Sequence, residues 1–514
     1  MNDIEKIVAI RRVSAKHMLP LVAAMATAFI TPAYAAFNSG STGADGALNV
    51  SVNTEIVLPP SGVLNYTTIN IPTGVTVTFK KNATNTPVYI LASGNVAIAG
   101  TLDIRGAHAT ASGTYGDGVL GDDGLPGIGG PGGYDGGRGG REDPAQSAEL
   151  VRGGAGLGPG GGEGGREGGD GCTATGYYKY VGTGGAYASA AYQSFSVYNC
   201  GAAAITKFGA PYGSPLLQPL LGGSGGGGGR GGTTYAGSGG GGGGGAILIA
   251  SSGTIQITGT INARGGDGGG NSGTGAGGAG SGGSGGAIRL VATSVAGGGS
   301  LLADGGCANG KREYCGSAGG YYQYGGSPGR IRLEGEAITF SGTSSPAYSA
   351  DVPGPVFIAE APSLRISSIA GQAVPANPTG NADVTLPAST TGPVAVAFAT
   401  TNVPVGNTVK LRIAPAYGEV TEALSPAIGG TAASGTAQVS VVLPAGPSTL
   451  QATTSYTVVV AGMLDLSRFA QNETVEKVEV TVALAGETRA RVITTTGKAY
   501  DVSYAALRAA GFRG

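Results

Sequence analysis

The sequence predicts an all-β protein: a parallel β-helix carrying long glycine-rich loops, followed by an immunoglobulin-like β-sandwich. Three observations predict it. A strand-rich motif of roughly 20 residues recurs. Glycine is concentrated between the copies, with 81 of the 103 glycines falling within residues 101–350. Beyond residue 362 the composition turns to evenly spaced alternating strands separated by Pro and Gly turns.

The repeat is the most specific signal. Residues 89–106 read YILASGNVAIAGTLDIRG, and residues 247–265 read ILIASSGTIQITGTINARG. A looser copy, IRLVATSVAGGGSLLADGG, occupies 288–306, and a shortened one, IRLEGEAITFSG, runs from 331 to 342. Each copy holds three short alternating pieces, as at Ile247/Ile249, Ile255/Ile257 and Ile261/Ala263. Three short strands in about 20 residues make one coil of a parallel β-helix. One coil cannot bury its own apolar face, so like side chains are expected to stack in columns from coil to coil. Unrelated antiparallel hairpins would share the alternation but not the matching sequence. Residues 36–345 are therefore assigned to the β-helix.

The glycine tracts leave this repeat at one corner, as insertions 107–245, 266–286 and 306–329. A flexible linker is the plainer reading. Against it, glycine occupies every third position from Gly118 to Gly139, and the phase returns at Gly162, Gly165, Gly168 and Gly171. A three-residue period suits a left-handed extended helix with three residues per turn. Proline is too sparse for collagen. The preferred expectation is a packed bundle of polyglycine helices, to which 225–229 and 239–245 add two more.

Residues 362–462 carry the sandwich strands, among them 363–367 (SLRIS), 394–398 (VAVAF), 409–413 (VKLRI), 439–442 (VSVV) and 456–460 (YTVVV). The remaining 463–514 read as a small C-terminal β/α extension, with alternating runs at 475–484 and 488–494 and a helical stretch at 504–510.

The N-terminus has the plan of a secretory signal peptide over 1–35. Lys6, Arg11, Arg12 and Lys16 precede an apolar run at 18–30, and Ala33-Tyr34-Ala35 offers a cleavage site. Pro20 and Pro32 bracket the run and disfavour an uncleaved anchor. Secretion or display on a bacterial surface is thus expected, with the membrane met only through the export signal. In an oxidising compartment the four cysteines are expected to form disulfides, and proximity favours Cys172 with Cys200 and Cys307 with Cys315. Zinc is disfavoured, since there is no CxxC and His108 is the only histidine after the signal. Leaving that segment free after cleavage, 37–60 could add a strand to a neighbour.

Charge excludes some partners. Lys plus Arg number 30 against 31 Asp plus Glu, so no basic field favours nucleic acid. Catalytic motifs are sparse. The GxSxG matches at 222–226 and 282–286 arise trivially in polyglycine. The P-loop-like start at 305–311 is followed by Arg312 where Ser or Thr is required. The coil copies carry few charges, namely Asp103, Arg105, Arg264, Arg289 and Asp304, without the clustered acids of a polysaccharide-cleaving site. A non-enzymatic protein is expected, with a polysaccharide-active enzyme as the least favoured alternative.

Two residue groups remain as candidates for binding. Asp117, Asp122, Asp123 and Asp135 lie on glycine-rich turns that suit calcium, although no tandem calcium repeat is present and no cofactor is expected. Tyr177, Tyr178, Tyr180, Tyr187, Tyr192 and Tyr198 lie between Cys172 and Cys200, and Tyr321, Tyr322 and Tyr324 follow Cys315. Tyrosines on rigid loops bring contact area at low entropic cost, and could grip a glycan or a neighbouring subunit. They could equally seal the glycine bundle. Self-association or a cell-surface glycan are the expected partners.

Taken with the repeat and the glycine phase, the chain resembles glycine-rich bacterial surface and adhesin-like proteins that combine a parallel β-helix with polyglycine tracts. It is also loosely similar to phage receptor-binding adhesins built from polyglycine-helix bundles. The resemblance spans about residues 90–340. It implies an extracellular structural, matrix or adhesive role, including filament formation, and transfers no catalytic residues.

Overall fold

The computed structural model describes residues 37–110, 124–145, 147–166, 181–191, 209–270, 277–308, 325–357, 361–375, 383–415, 420–446, 448–460, 464–484 and 488–514. The expected signal peptide lies outside them. The protein is all-β, with two sheets of parallel strands followed by two of antiparallel strands. No helix among the described residues is long and apolar enough to cross a membrane.

In the parallel part the sequence copies lie side by side. Strand Ala246–Ile257 pairs with Ala287–Gly297 on one side, and with Val88–Ala92 and Val96–Ile98 on the other. In the second sheet Thr260–Asn262 sits between Thr101–Asp103 and Ser300–Leu302. The registers stack like on like. Leu64, Ile90, Ile249, Leu290 and Leu333 form one inward column, and Val77, Leu102, Ile261 and Leu301 another. All of these are buried in a single apolar cluster. Burying each such side chain contributes about 1.5–3 kcal/mol, which is why the chain returns to the same stack after the insertion 107–245.

Two local expectations change. The three-piece reading of each copy holds at Val88–Ala92, Val96–Ile98 and Thr101–Asp103. In the next three copies the first two pieces fuse, giving Ala246–Ile257, Ala287–Gly297 and Arg330–Phe340. A register irregularity between Ala292 and Ser294 absorbs the small-residue corner without ending the strand. The segment 37–60 is not free for a neighbour. Leu48–Asn49 and Thr54–Val57 complete the edges of their own sheets, opposite Ile69–Asn70 and Val77–Lys80. The Ser39 hydroxyl donates to the Ala92 carbonyl at 2.7 Å. A strand on the same chain, about 20 residues away, outcompetes one supplied in trans because its effective concentration is high.

The outward face of the first sheet is covered in part. Leu91, Ala246, Leu248, Ala250 and Ala287 are buried beneath Tyr187, Tyr212, Leu217, Leu220 and Leu221. Further along the same face lie buried charges. Arg289 binds Glu334 through Nε at 2.8 Å and Nη2 at 2.9 Å, and Arg332 Nε reaches the same carboxylate at 2.7 Å. Arg289 also donates to the Pro355 carbonyl at 3.0 Å, and the Gly354 amide donates to Glu334 at 2.8 Å. This network fastens 354–355, just ahead of the antiparallel part, to the parallel sheet.

The antiparallel part packs a five-stranded sheet, built around Ser363–Ile369, Val394–Thr401 and Ser434–Val441, against a six-stranded one. The six-stranded sheet runs in the order Thr421–Ala427, Thr408–Pro415, Ser448–Val459, Val475–Ala483, Thr488–Thr494 and Ala499–Val502. The expected boundary at 462/463 therefore corrects. Residues 463–514 supply three strands of that sheet, because the Val475–Ala483 alternation pairs with Ser448–Val459, Val480 opposite Tyr456. Tyr504, Leu507 and Phe512, in and after helix Tyr504–Ala509, are buried in the same core.

Candidate functional site

The glycine tracts are ordered by their own hydrogen bonds, with a three-residue period. Gly237, Gly240 and Gly243 donate to Gly140, Gly137 and Tyr134, each at 2.8 Å. The next residues in phase, Ser238, Gly241 and Gly244, donate to Gly278, Ser281 and Ser284 at 3.0, 2.8 and 2.8 Å. The third phase, Gly242 and Gly245, turns to Ala107 and Ile104. Carbonyls of the same segment accept from 127–130, 223–229 and 266–269. Segment 236–245 is thus bonded to six neighbours, and 222–231 is surrounded in the same way.

At its glycine positions such packing leaves no room for a side chain. A Cβ built on Gly240 would stand 2.0 Å from the Gly226 carbonyl oxygen, and one on Gly228 2.0 Å from that of Arg138. Most amides of these tracts instead gain a backbone partner, worth about 0.5–1.5 kcal/mol net. Those bonds oppose the entropic cost of ordering glycine, about 1–2 kcal/mol per residue.

The array has two ends. At the near end it grows out of the parallel strands, where Gly245 bonds Ile104, Gly286 bonds Ala263 and Gly329 bonds Ala303. Here Tyr187 and Tyr212 seal it. The Tyr187 hydroxyl donates to the Leu221 carbonyl at 3.0 Å, and the ring centroids are 4.8 Å apart. The Tyr212 hydroxyl donates to the Gly222 carbonyl at 2.6 Å and accepts from Ser224 at 2.9 Å. Tyr187 is therefore a sealing residue. Tyr212 escaped the sequence reading; its signal was its place beside 215–221 (PLLQPLL), an apolar run within the long insertion.

Toward the far end the described residues of the array run up to 110 and 124, 166 and 181, 270 and 277, and 308 and 325. Tyr177, Tyr178, Tyr180, Tyr321, Tyr322, Tyr324, Asp117, Asp122, Asp123, Cys172 and Cys315 lie outside the described residues. So do Tyr192, Tyr198 and Cys200, within 192–208. Cys307 is disulfide-bonded, and no cysteine among the described residues is free.

The other sequence candidates are engaged locally. Asp135 accepts from the Gly129 amide at 2.8 Å and pairs with Lys81 at 3.4 Å. Among the described residues no group of three or more acidic, His or Cys side chains could hold a metal ion. The GxSxG serines Ser224 and Ser284 are buried, and the Ser224 amide donates to the Ser284 hydroxyl at 2.8 Å. His108 Nδ1 lies 3.1 Å from Asp267, whose carboxylate holds the imidazole above its ordinary pKa. The far oxygen of Asp267 accepts from the Cys307 amide at 2.7 Å, which ties the disulfide-bearing segment into the array.

Comparison with family models, with curated proteins and with solved structures gave no match in any of the three.

Proposed function

We propose that this chain is a secreted structural or adhesive protein of the bacterial surface or extracellular matrix. In this reading a parallel β-helix over 36–345 and an immunoglobulin-like sandwich carry a bundle of polyglycine helices, and the far end of that bundle is the contact face. One observation carries the proposal. A lattice of backbone-bonded glycine tracts, with six bonded neighbours around a central segment, takes in the described residues on either side of 111–123, 167–180, 271–276 and 309–324. Two of these carry tyrosines at Tyr177, Tyr178, Tyr180 and at Tyr321, Tyr322, Tyr324. Holding the residues that flank a binding segment in a stiff lattice lowers the entropy lost on contact. Tyrosine supplies large amphipathic area for that contact.

Replacing these six tyrosines with alanine is expected to abolish adhesion to cells or matrix polysaccharide while leaving thermal unfolding unchanged. Undiminished adhesion would sink the far-end assignment. A carbohydrate-binding module acting through the same tyrosines is the second reading, and a glycan array on the same variant separates it from protein-directed adhesion. Filament formation is the self-associating version of the proposal. Sedimentation showing only monomer across a wide concentration series would remove that version alone.

A further inference from the structure

A concave surface lies beside Tyr212, where the array meets the parallel strands. A cleft of about 410 Å³ opens between 211–215, the start of strand Arg330–Phe340, and three neighbouring strands of the six-stranded sheet. Its size falls in the range of small-molecule sites, and its position between two packed parts of the chain is a common one for them.

The lining is built by register. Glu479, Arg491 and Asp501 stand opposite one another on adjacent strands, and Thr481 stands opposite Arg489. Arg491 Nε donates to Asp501 at 3.0 Å. The Arg489 guanidinium donates to the Pro211 carbonyl at 3.2 Å and lies 5.6 Å from the Tyr212 ring centroid. From the other wall, Arg330 donates to the Tyr212 carbonyl at 2.6 Å and lies 4.8 Å from the Tyr187 centroid. Two guanidinium groups therefore flank a tilted tyrosine pair, its ring planes 48° apart, and are held in place by their carbonyl and ring contacts. Fixed guanidiniums match the planar geometry of a carboxylate. The neighbouring carboxylates and the Thr481 hydroxyl suit the hydroxyls of a sugar ring.

We infer that this cleft is a binding site for an acidic saccharide, a uronic-acid-type residue whose carboxylate meets Arg489 and Arg491 while its hydroxyls meet Glu479 and Thr481. Three arginines against two carboxylates leave the lining with a net positive charge, which favours one anionic group over none. Neutral sugars would leave the guanidiniums desolvated without a new partner.

The test is calorimetric titration of the full chain with a short galacturonate oligomer, a neutral glucose oligomer of the same length, and sulfate. The galacturonate oligomer is expected to bind, and to bind at least about tenfold more tightly than the neutral oligomer. Arg489→Gln should weaken it about tenfold or more, and Thr481→Phe, which fills the cleft beside Arg489 without removing a charge, should do the same. Equal binding of acidic and neutral oligomers would overturn the inference. So would unchanged binding in Thr481→Phe, or sulfate binding as tightly as the oligomer. The far-end tyrosine variant should bind the galacturonate oligomer like the unmodified chain, so failure of the cleft and failure of the adhesive reading are distinguishable.

Discussion

At the scale of the residue, the glycine lattice is decided by what a single methyl group would do. Gly240→Ala and Gly228→Ala each place a carbon about 2.0 Å from a carbonyl oxygen that belongs to a neighbouring segment and cannot swing aside. Overpacking of this kind costs about 1–3 kcal/mol, and more where the surroundings are rigid backbone. Gly298→Ala is the control, since the nearest atom to its added Cβ is the Ser341 hydroxyl at 4.0 Å, and it should lie within about 0.5 kcal/mol of the parent. Denaturant unfolding of the three variants checks this, and equal losses at all three positions would contradict the lattice. The every-third-glycine phase from Gly118 made such a lattice legible in the sequence. Its partners were not, because backbone-to-backbone bonds leave no complementary side chains to read. Tyr212 was missed for a related reason: its role depends on Gly222 and Ser224 meeting its hydroxyl, which no periodicity reports.

At the scale of the element, the repeat predicted which residues face inward but not what covers the outward side. Alternation puts Arg289 on the face opposite the inward Ile288 and Leu290 and says nothing of what covers it. In the folded chain Arg289 and Glu334 are 1% and 2% exposed, because Arg289 and Arg332 stand on neighbouring strands in register and share one carboxylate. Burial alone would raise the Glu334 pKa, yet the hydrogen bonds and charge of Arg289 and Arg332 outweigh it and hold the carboxyl below its ordinary value. The folded pKa is thus lower than the unfolded one. Its stabilisation is present above the unfolded value of about 4.3 and is lost as pH falls through the depressed value. Glu334→Gln leaves the buried Arg289 guanidinium without its charge partner, while Arg332 keeps Asp351 at 2.9 Å, and should destabilise by about 3–5 kcal/mol at neutral pH. It should also flatten the acid limb of the stability profile. A variant whose acid limb still matches the parent would show that another carboxylate governs it.

At the scale of the whole molecule, the sheets and the glycine lattice share their chain without a joint. Gly245 runs directly into strand Ala246–Ile257, Gly286 into Ala287–Gly297 and Gly329 into Arg330–Phe340. Apolar columns hold one end of each segment and interstrand amide bonds hold the rest. Loss of the lattice would then release the covered outward face of Leu248 and Ala250, since Tyr187, Tyr212 and Leu221 are anchored in the glycine tracts. Composition alone could not establish this coupling, because the same glycines in a chain without flanking strands would behave as a flexible linker. Hydrogen exchange distinguishes the two. Amides of 237–245 are buried and bonded to three different neighbours in turn, so they open only when several segments separate together. Their protection should equal that of Ala246–Ile257 to within about tenfold, and both should collapse together in Gly240→Ala. Fast exchange across 237–245 beside a protected Ala246–Ile257 would instead mean that the stack of strands stands alone and the glycine tracts merely hang from it.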